Sequence, residues 1–177
     1  MTETSAPSDP AGPRTTVEPV PGGAGTGPIV ITGLAGLQDR VGTTVGVSEW
    51  KTVEQDEITT FARLTGDEQW IHVDPVRAAA GPFGATIQHG FLTLGLSTGL
   101  LWSVCVVEGF GVILNYGLNK VRFPAPLPVG SRIRMHVQVA RVTPLDGGVE
   151  VVWGLTYEVE GKPKPCCVAE LVFRYYG

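Results

Sequence analysis

The sequence is poor in several things that would have named a function quickly. It holds three cysteines, Cys105, Cys166 and Cys167, two of them adjacent. Adjacent cysteines do not make an ordinary disulfide framework, and no C-x-x-C pair offers a zinc site. They are expected to be small buried hydrophobes in a reducing cytoplasm. Positive charge is also short, with 13 Lys and Arg against 17 Asp and Glu and a net charge of −4. That excludes the basic face of a nucleic-acid binder. No repeat of a solenoid period is present. Gly109-Phe110-Gly111 lacks the third glycine and the following helix of a dinucleotide loop.

Long apolar runs are scarce too. The exception is Phe91–Val107, which has no charged residue. It is short for a span of about 20 apolar residues and is interrupted by Thr93, Gly95, Ser97, Thr98, Gly99 and Ser103. It therefore reads as a buried core helix rather than a membrane segment. Residues 1–27 are rich in Pro, Gly, Ser and Thr without an apolar run, and are expected to be a disordered tail, not a signal peptide. One domain is expected over 28–177.

Local signals give the order of elements. Leu34–Arg40 suggests a short helix and Val45–Lys51 an extended entry. Thr52-Val53-Glu54-Gln55 fits a capping box, with Thr52 as cap and Gln55 reaching back. Ile58, Phe61, Ala62 and Leu64 follow at helical spacing, and Gly66 can end that helix in a left-handed conformation. Asp74-Pro75 opens a short helix. A long helix is predicted from about His89 to Val107. Extended segments follow over Val112–Phe123, Ser131–Thr143, Val149–Glu160 and Cys166–Tyr176. Ile133, Met135, Val137 and Val139 alternate against Arg132, Arg134, His136 and Gln138. A helix followed by antiparallel strands implies an α+β domain with a sheet wrapped around the helix. Such a sheet leaves edges, and pairing two copies edge to edge covers them.

Two short stretches carry the chemistry: Thr65-Gly66-Asp67-Glu68-Gln69-Trp70-Ile71-His72 and Gln88-His89-Gly90-Phe91. In a regular helix the Asp67 and His72 side chains would point about 140° apart. Joint use requires an irregular segment, which the stop at Gly66 provides. By composition alone Asp67 is a turn residue, His72 a satisfied polar group and His89 a structural histidine. Gly90 is more telling, because its amide falls in the first turn of a helix, where donors are orphaned. Without a Cβ, it lets a carbonyl oxygen approach that amide. A carboxylate, an imidazole and a free amide are what adding water to a thioester-activated double bond requires.

Phe61-Ala62-Arg63-Leu64-Thr65-Gly66-Asp67, Ile71-His72-Val73-Asp74-Pro75, Phe83-Gly84-Ala85-Thr86-Ile87-Gln88-His89-Gly90-Phe91-Leu92 and Asn115–Pro126 together resemble the MaoC-like hydratase family. These are the (R)-specific enoyl-CoA hydratases with a hot-dog fold, and the resemblance covers about Gly33 to Tyr176. It implies that Asp67 and His72 are a catalytic dyad and that the Gly90 amide polarises the thioester carbonyl. Members often carry a serine nine residues after the motif histidine; Thr98 stands there. Gln69-Trp70 replaces the Asn-Pro of many members, which alters the loop. Arg122 either contacts the phosphates of the acyl carrier or braces its loop. Gly95, Thr98 and Gly99 share a helix face that leaves room for an acyl chain, or else lets a strand pack closely.

The resemblance implies syn addition of water to a trans-2-enoyl thioester, giving a (3R)-hydroxyacyl thioester, and the reverse. No metal or redox cofactor is implied, because the thioester already acidifies C2. The expected partners are an acyl-CoA or acyl-carrier-protein thioester and a second copy in a homodimer, with no nucleic acid and no membrane. Three readings stand: a hydratase of CoA thioesters, a dehydratase of carrier-protein-bound chains, and a non-catalytic acyl-binding subunit. A hot-dog thioesterase is disfavoured because Gln88–Val107 holds no Asp or Glu.

Overall fold

The computed structural model describes residues 27–177; the tail expected over 1–27 falls outside them except for Gly27. The chain begins with β1 (Ile29–Thr32), α1 (Gly33–Gln38), β2 (Thr44–Val47) and β3 (Lys51–Thr52). Helices α2 (Gln55–Thr65), α3 (Trp70–Val73) and α4 (Pro75–Ala79) follow. The central helical run is α5 (Gly90–Gly95) and α6 (Ser97–Val104), leading into β4 (Cys105–Glu108). Four long strands complete the chain: β5 (Val112–Arg122), β6 (Arg132–Leu145), β7 (Gly148–Val159) and β8 (Cys167–Tyr176).

The main sheet has the order β2-β6-β7-β8-β5, with β3 also on β6, and all its pairings are antiparallel. Its inner face comes from the period-two alternation of strands. Ile133, Met135, Val137 and Val139 of β6 are fully buried, as expected, and meet Trp153, Leu155 and Tyr157 of β7. A register shift between Val139 and Arg141 breaks the alternation. Opposite it, Val151, Val152 and Trp153 are buried in succession. The helical run packs on this face through Leu101 and Val104. The result is the α+β hot-dog arrangement, an antiparallel sheet around a helical run.

Two sequence expectations are corrected. The helix predicted from His89 to Val107 is shorter and divided. The backbone bonds Leu96 N–H to Leu92 O and Leu100 N–H to Leu96 O span the break at Leu96, at 3.2 and 3.1 Å. The Ser97 hydroxyl bonds back to Leu94 O, a contact that bends helices, and also meets the Tyr157 hydroxyl at 2.7 Å. After Val104 the backbone turns extended, and Cys105–Glu108 pairs in parallel with Ile29–Thr32. Val106 and Val107 are β-branched and prefer a strand once one is offered.

The capping box at Thr52 is also absent. The cap of α2 is Glu54, without a side-chain bond. Gln55 points elsewhere: its Nε2 donates to His72 O at 2.8 Å, and its Oε1 accepts from the Thr86 hydroxyl. Other local signals stand. Gly66 ends α2 at φ 76°, and the Asp74 carboxylate caps α4 through Arg77 N–H at 3.0 Å.

Candidate active site

The left-handed turn at Gly66 takes the chain out of α2 and presents Asp67 at the surface, its side chain 56% exposed. Five residues on, the short α3 turns His72 inward, leaving it 7% exposed. The irregular segment anticipated between them is therefore present. The 86–88 segment is strapped on both sides. Ile87 N–H donates to Ile71 O at 2.9 Å and Gln88 N–H to Leu127 O at 2.8 Å. This holds the start of α5 against α3.

The tautomers follow from the partners. His72 Nδ1 lies 2.7 Å from Ile87 O, and a carbonyl only accepts, so Nδ1 carries the hydrogen and Nε2 is the free nitrogen. His89 Nε2 lies 2.9 Å from Asp67 O and is the donor by the same argument. The two rings stack at 3.7 Å with 21° between planes, and Phe61 covers His89 at 5.0 Å. His89 thus ties to both members of the expected pair. Its Nε2 is 3.9 Å from Asp67 Oδ2.

Asp67, His72 and His89 bring one potential ligand atom each within 4.8 Å of one another. The grouping does not suit a metal ion. In nearly parallel rings the nitrogen lone pairs leave side by side rather than converge, and each ring already has one nitrogen committed to a carbonyl. It suits proton transfer.

A cavity of about 190 Å³ opens beside this group, lined by His72, Gln88, Gly90, Thr93, Phe123 and Cys166 among others. Gly90 is the first residue of α5, so its amide has no acceptor within the helix. A Cβ at Gly90 would stand 3.0 Å from three atoms of the Phe123 ring, so glycine is needed for the aromatic wall as well as for access to the amide. Burial pushes the Cys166 thiol up to about 11, and those of Cys105 and Cys167 up to about 12. All three are free and inert as nucleophiles at neutral pH.

The structure thus brings Asp67, His72 and Gly90 together and leaves the other expected residues apart. Gly95 and Gly99 are exposed, and a Cβ on either meets no atom within 4 Å. The close strand packing considered for this face is therefore absent within the protomer. Thr98 is half-buried and does not line the cavity. Arg122 is exposed, donates to its own neighbour Val121 O at 2.7 Å, and lines a separate groove with Lys120, His136 and Glu170. Sequence reasoning missed Gln55, Gln88 and the double role of His89. The only signal was a polar Gln-His pair directly before an uncharged helix.

Comparisons with known proteins identify the family. Residues 37–160 match the MaoC like domain. The 3-hydroxyacyl-thioester dehydratase Z of Mycobacterium tuberculosis is 53% identical over 143 residues, covering 80% of this chain and 95% of that protein. Nodulation protein N of Rhizobium leguminosarum bv. viciae is 39% identical over 142 residues, covering 78% and 88%. Among solved structures, the (R)-hydratase from A. caviae involved in PHA biosynthesis superposes with TM-score 0.62 at 25% identity, over 75% of this chain and 94% of that one. The monoamine oxidase regulatory protein from Archaeoglobus fulgius, at 22% identity and TM-score 0.68 over 83% and 95%, shares the fold. The chain belongs to the MaoC-like hydratase and dehydratase family.

Proposed function

We infer that the protein is a hydro-lyase of 3-hydroxyacyl thioesters, adding water reversibly and in syn sense to trans-2-enoyl thioesters to give the (3R)-hydroxy product. The observation that carries this reading is the shared cavity: His72, with its free Nε2, and Gly90, with its orphaned amide, line one pocket beside Asp67. The thioester oxygen sits on the Gly90 amide, which stabilises the enolate that forms as water attacks C3. Asp67 and His72 hold the water between them. One accepts its proton as the oxygen bonds to C3, and a proton is returned to C2 from the same side. The Asp67 carboxylate orients the water, and His72 Nε2 shuttles the proton.

The protein acts as a homodimer in this reading. β5 is an edge strand bonded only to β8, and it exposes Val112, Ile113, Leu114, Tyr116 and Leu118. An uncovered apolar edge of this length is an association surface. A partner there also gives the open face of Gly95 and Thr98 a second wall for the acyl chain, with Arg122 toward the phosphates of the carrier. Three free buried cysteines fit a cytoplasmic location. Among the described residues no helix is long and apolar enough to cross a membrane.

The test is incubation of the purified protein with crotonyl-CoA, longer enoyl-CoAs and the matching carrier-protein thioesters. The expected result is loss of the conjugated-thioester absorbance and a (3R) product on chiral analysis. Absence of turnover with every thioester would leave an acyl-binding subunit, and turnover confined to the carrier-protein forms would make it a biosynthetic dehydratase.

A further inference from the structure

Gln88 has an unusual hydrogen-bond account. It is 4% exposed and lines the cavity that holds His72 and Gly90. Its Nε2 donates to the Thr93 hydroxyl at 2.8 Å. That hydroxyl has a single proton, already given to His89 O at 3.2 Å, so toward Gln88 it can only accept. The orientation of the carboxamide is therefore fixed, with nitrogen toward Thr93 and oxygen away. The oxygen is buried in the cavity wall and has no donor among the described residues. A buried acceptor left unpaired is costly, and such groups are kept where a ligand completes them.

We propose that Gln88 Oε1 accepts a hydrogen bond from the 3-hydroxyl of the bound hydroxyacyl thioester. This deepens the hydro-lyase reading and rests on it. The placement follows from the chain. Gln88 directly follows Ile87, whose carbonyl fixes the His72 ring, and comes two residues before the amide that takes the thioester oxygen. C3 lies two bonds from the thioester carbonyl carbon, so a carbonyl on Gly90 brings the C3 oxygen to the wall between His72 and Gln88. Gln88 is then a substrate-binding residue that distinguishes hydroxylated from saturated chains, and it makes no proton transfer of its own.

The experiment compares wild type with Gln88→Met, which keeps the length of the side chain and removes both polar atoms. Inhibition constants against crotonyl-CoA hydration are measured for (3R)-hydroxybutyryl-CoA and for butyryl-CoA, which differ only in the hydroxyl. The expected result is roughly five- to twentyfold weaker inhibition by the hydroxyacyl thioester, the range of one hydrogen bond to a buried acceptor. Inhibition by butyryl-CoA should stay within about twofold, and the melting temperature should be unchanged or raised, because an orphaned acceptor is gone. Equal weakening of both inhibitors, or of neither, overturns the assignment, since a contact to the shared pantetheine or a purely shaping role moves both together. Gln88→Leu is the second variant, and failure of both to fold would make Gln88 structural and overturn it as well. Absence of turnover in wild type is a separate result, and it removes the hydro-lyase reading itself.

Discussion

The two ends of the central helical run are built from opposite materials. At the amino end lie six of the seven buried polar residues of the described chain: His72, Thr86, Gln88, His89, Thr93 and Ser97, with Ser48 elsewhere. Among them are a stacked imidazole pair and two buried atoms without partners, Gln88 Oε1 and His89 Nδ1. At the carboxyl end Leu101, Val104 and Cys105 pack with Trp153 and Tyr175, and the indole N–H is bonded to the Tyr175 hydroxyl at 3.1 Å. A core selected only for stability would pair or omit every buried polar group. The amino end departs from that rule and the carboxyl end obeys it. The apolar end is built as a core, and the proposed chemistry lies at the polar end.

Substitutions at the two ends should separate these properties. The largest expected effect is at the apolar end. Leu101 is buried beside an apolar cavity of about 80 Å³, so Leu101→Ala enlarges a void. The expected loss is about 2–5 kcal/mol in denaturant unfolding, with turnover per folded molecule unchanged. Equal loss of turnover would erase the division. At the polar end, Gly90→Ala keeps the amide but narrows the approach to it, and should lower kcat roughly ten- to hundredfold, less than outright removal of an oxyanion donor, while the unfolding midpoint moves little. Its Cβ displaces the Phe123 ring, which is partly exposed and free to give way.

A smaller effect is expected where the run is open. Gly95→Leu should shorten the longest accepted acyl chain without changing stability, and Thr98→Val should lower the rate modestly; enoyl-CoA chain-length profiles read alongside melting curves decide both. Unfolding by Gly95→Leu would return this face to the core. The smallest effect belongs to the outer face of the sheet. Hydrogen bonds from Arg134 and then His136 hold the Glu158 carboxyl below its ordinary value. A lowered folded pKa contributes stability that is present above the ordinary glutamate range and is lost as pH falls through the lowered value. Glu158→Gln should slightly lower the melting temperature at neutral pH and converge with wild type in acid, which flattens the acid limb of the profile. This pair is solvent-screened, so a large shift would show that the outer face is covered in the assembled protein.

Much of the frame could be read locally. The glycine stop at Gly66, the Asp74 cap and the alternation over Ser131–Thr143 each depend on neighbours in sequence, and each is present. The errors occurred where a distant partner decided the outcome. Gln55 looked like the far end of a capping box, but it is recruited by His72 and Thr86, 17 and 31 residues away. Cys105–Val107 looked helical by apolar content, which does not distinguish a buried helix from a strand, until Ile29–Thr32 offered a pairing. Asp67, His72 and Gly90, the residues of the proposed site, were singled out by their spacing together with the family resemblance. Stacking of His89 on His72 and the unpaired oxygen of Gln88 are three-dimensional facts without a local signature.

The central claim is that the Asp67–His72 pair beside the Gly90 amide hydrates enoyl thioesters. Its most direct test is the rate of crotonyl-CoA hydration by Asp67→Asn and by His72→Gln, each shown by circular dichroism and melting to be folded. Both should retain the fold and lose at least about a hundredfold in rate, the low end of general acid–base catalysis. A near-normal rate in either folded variant would contradict the account.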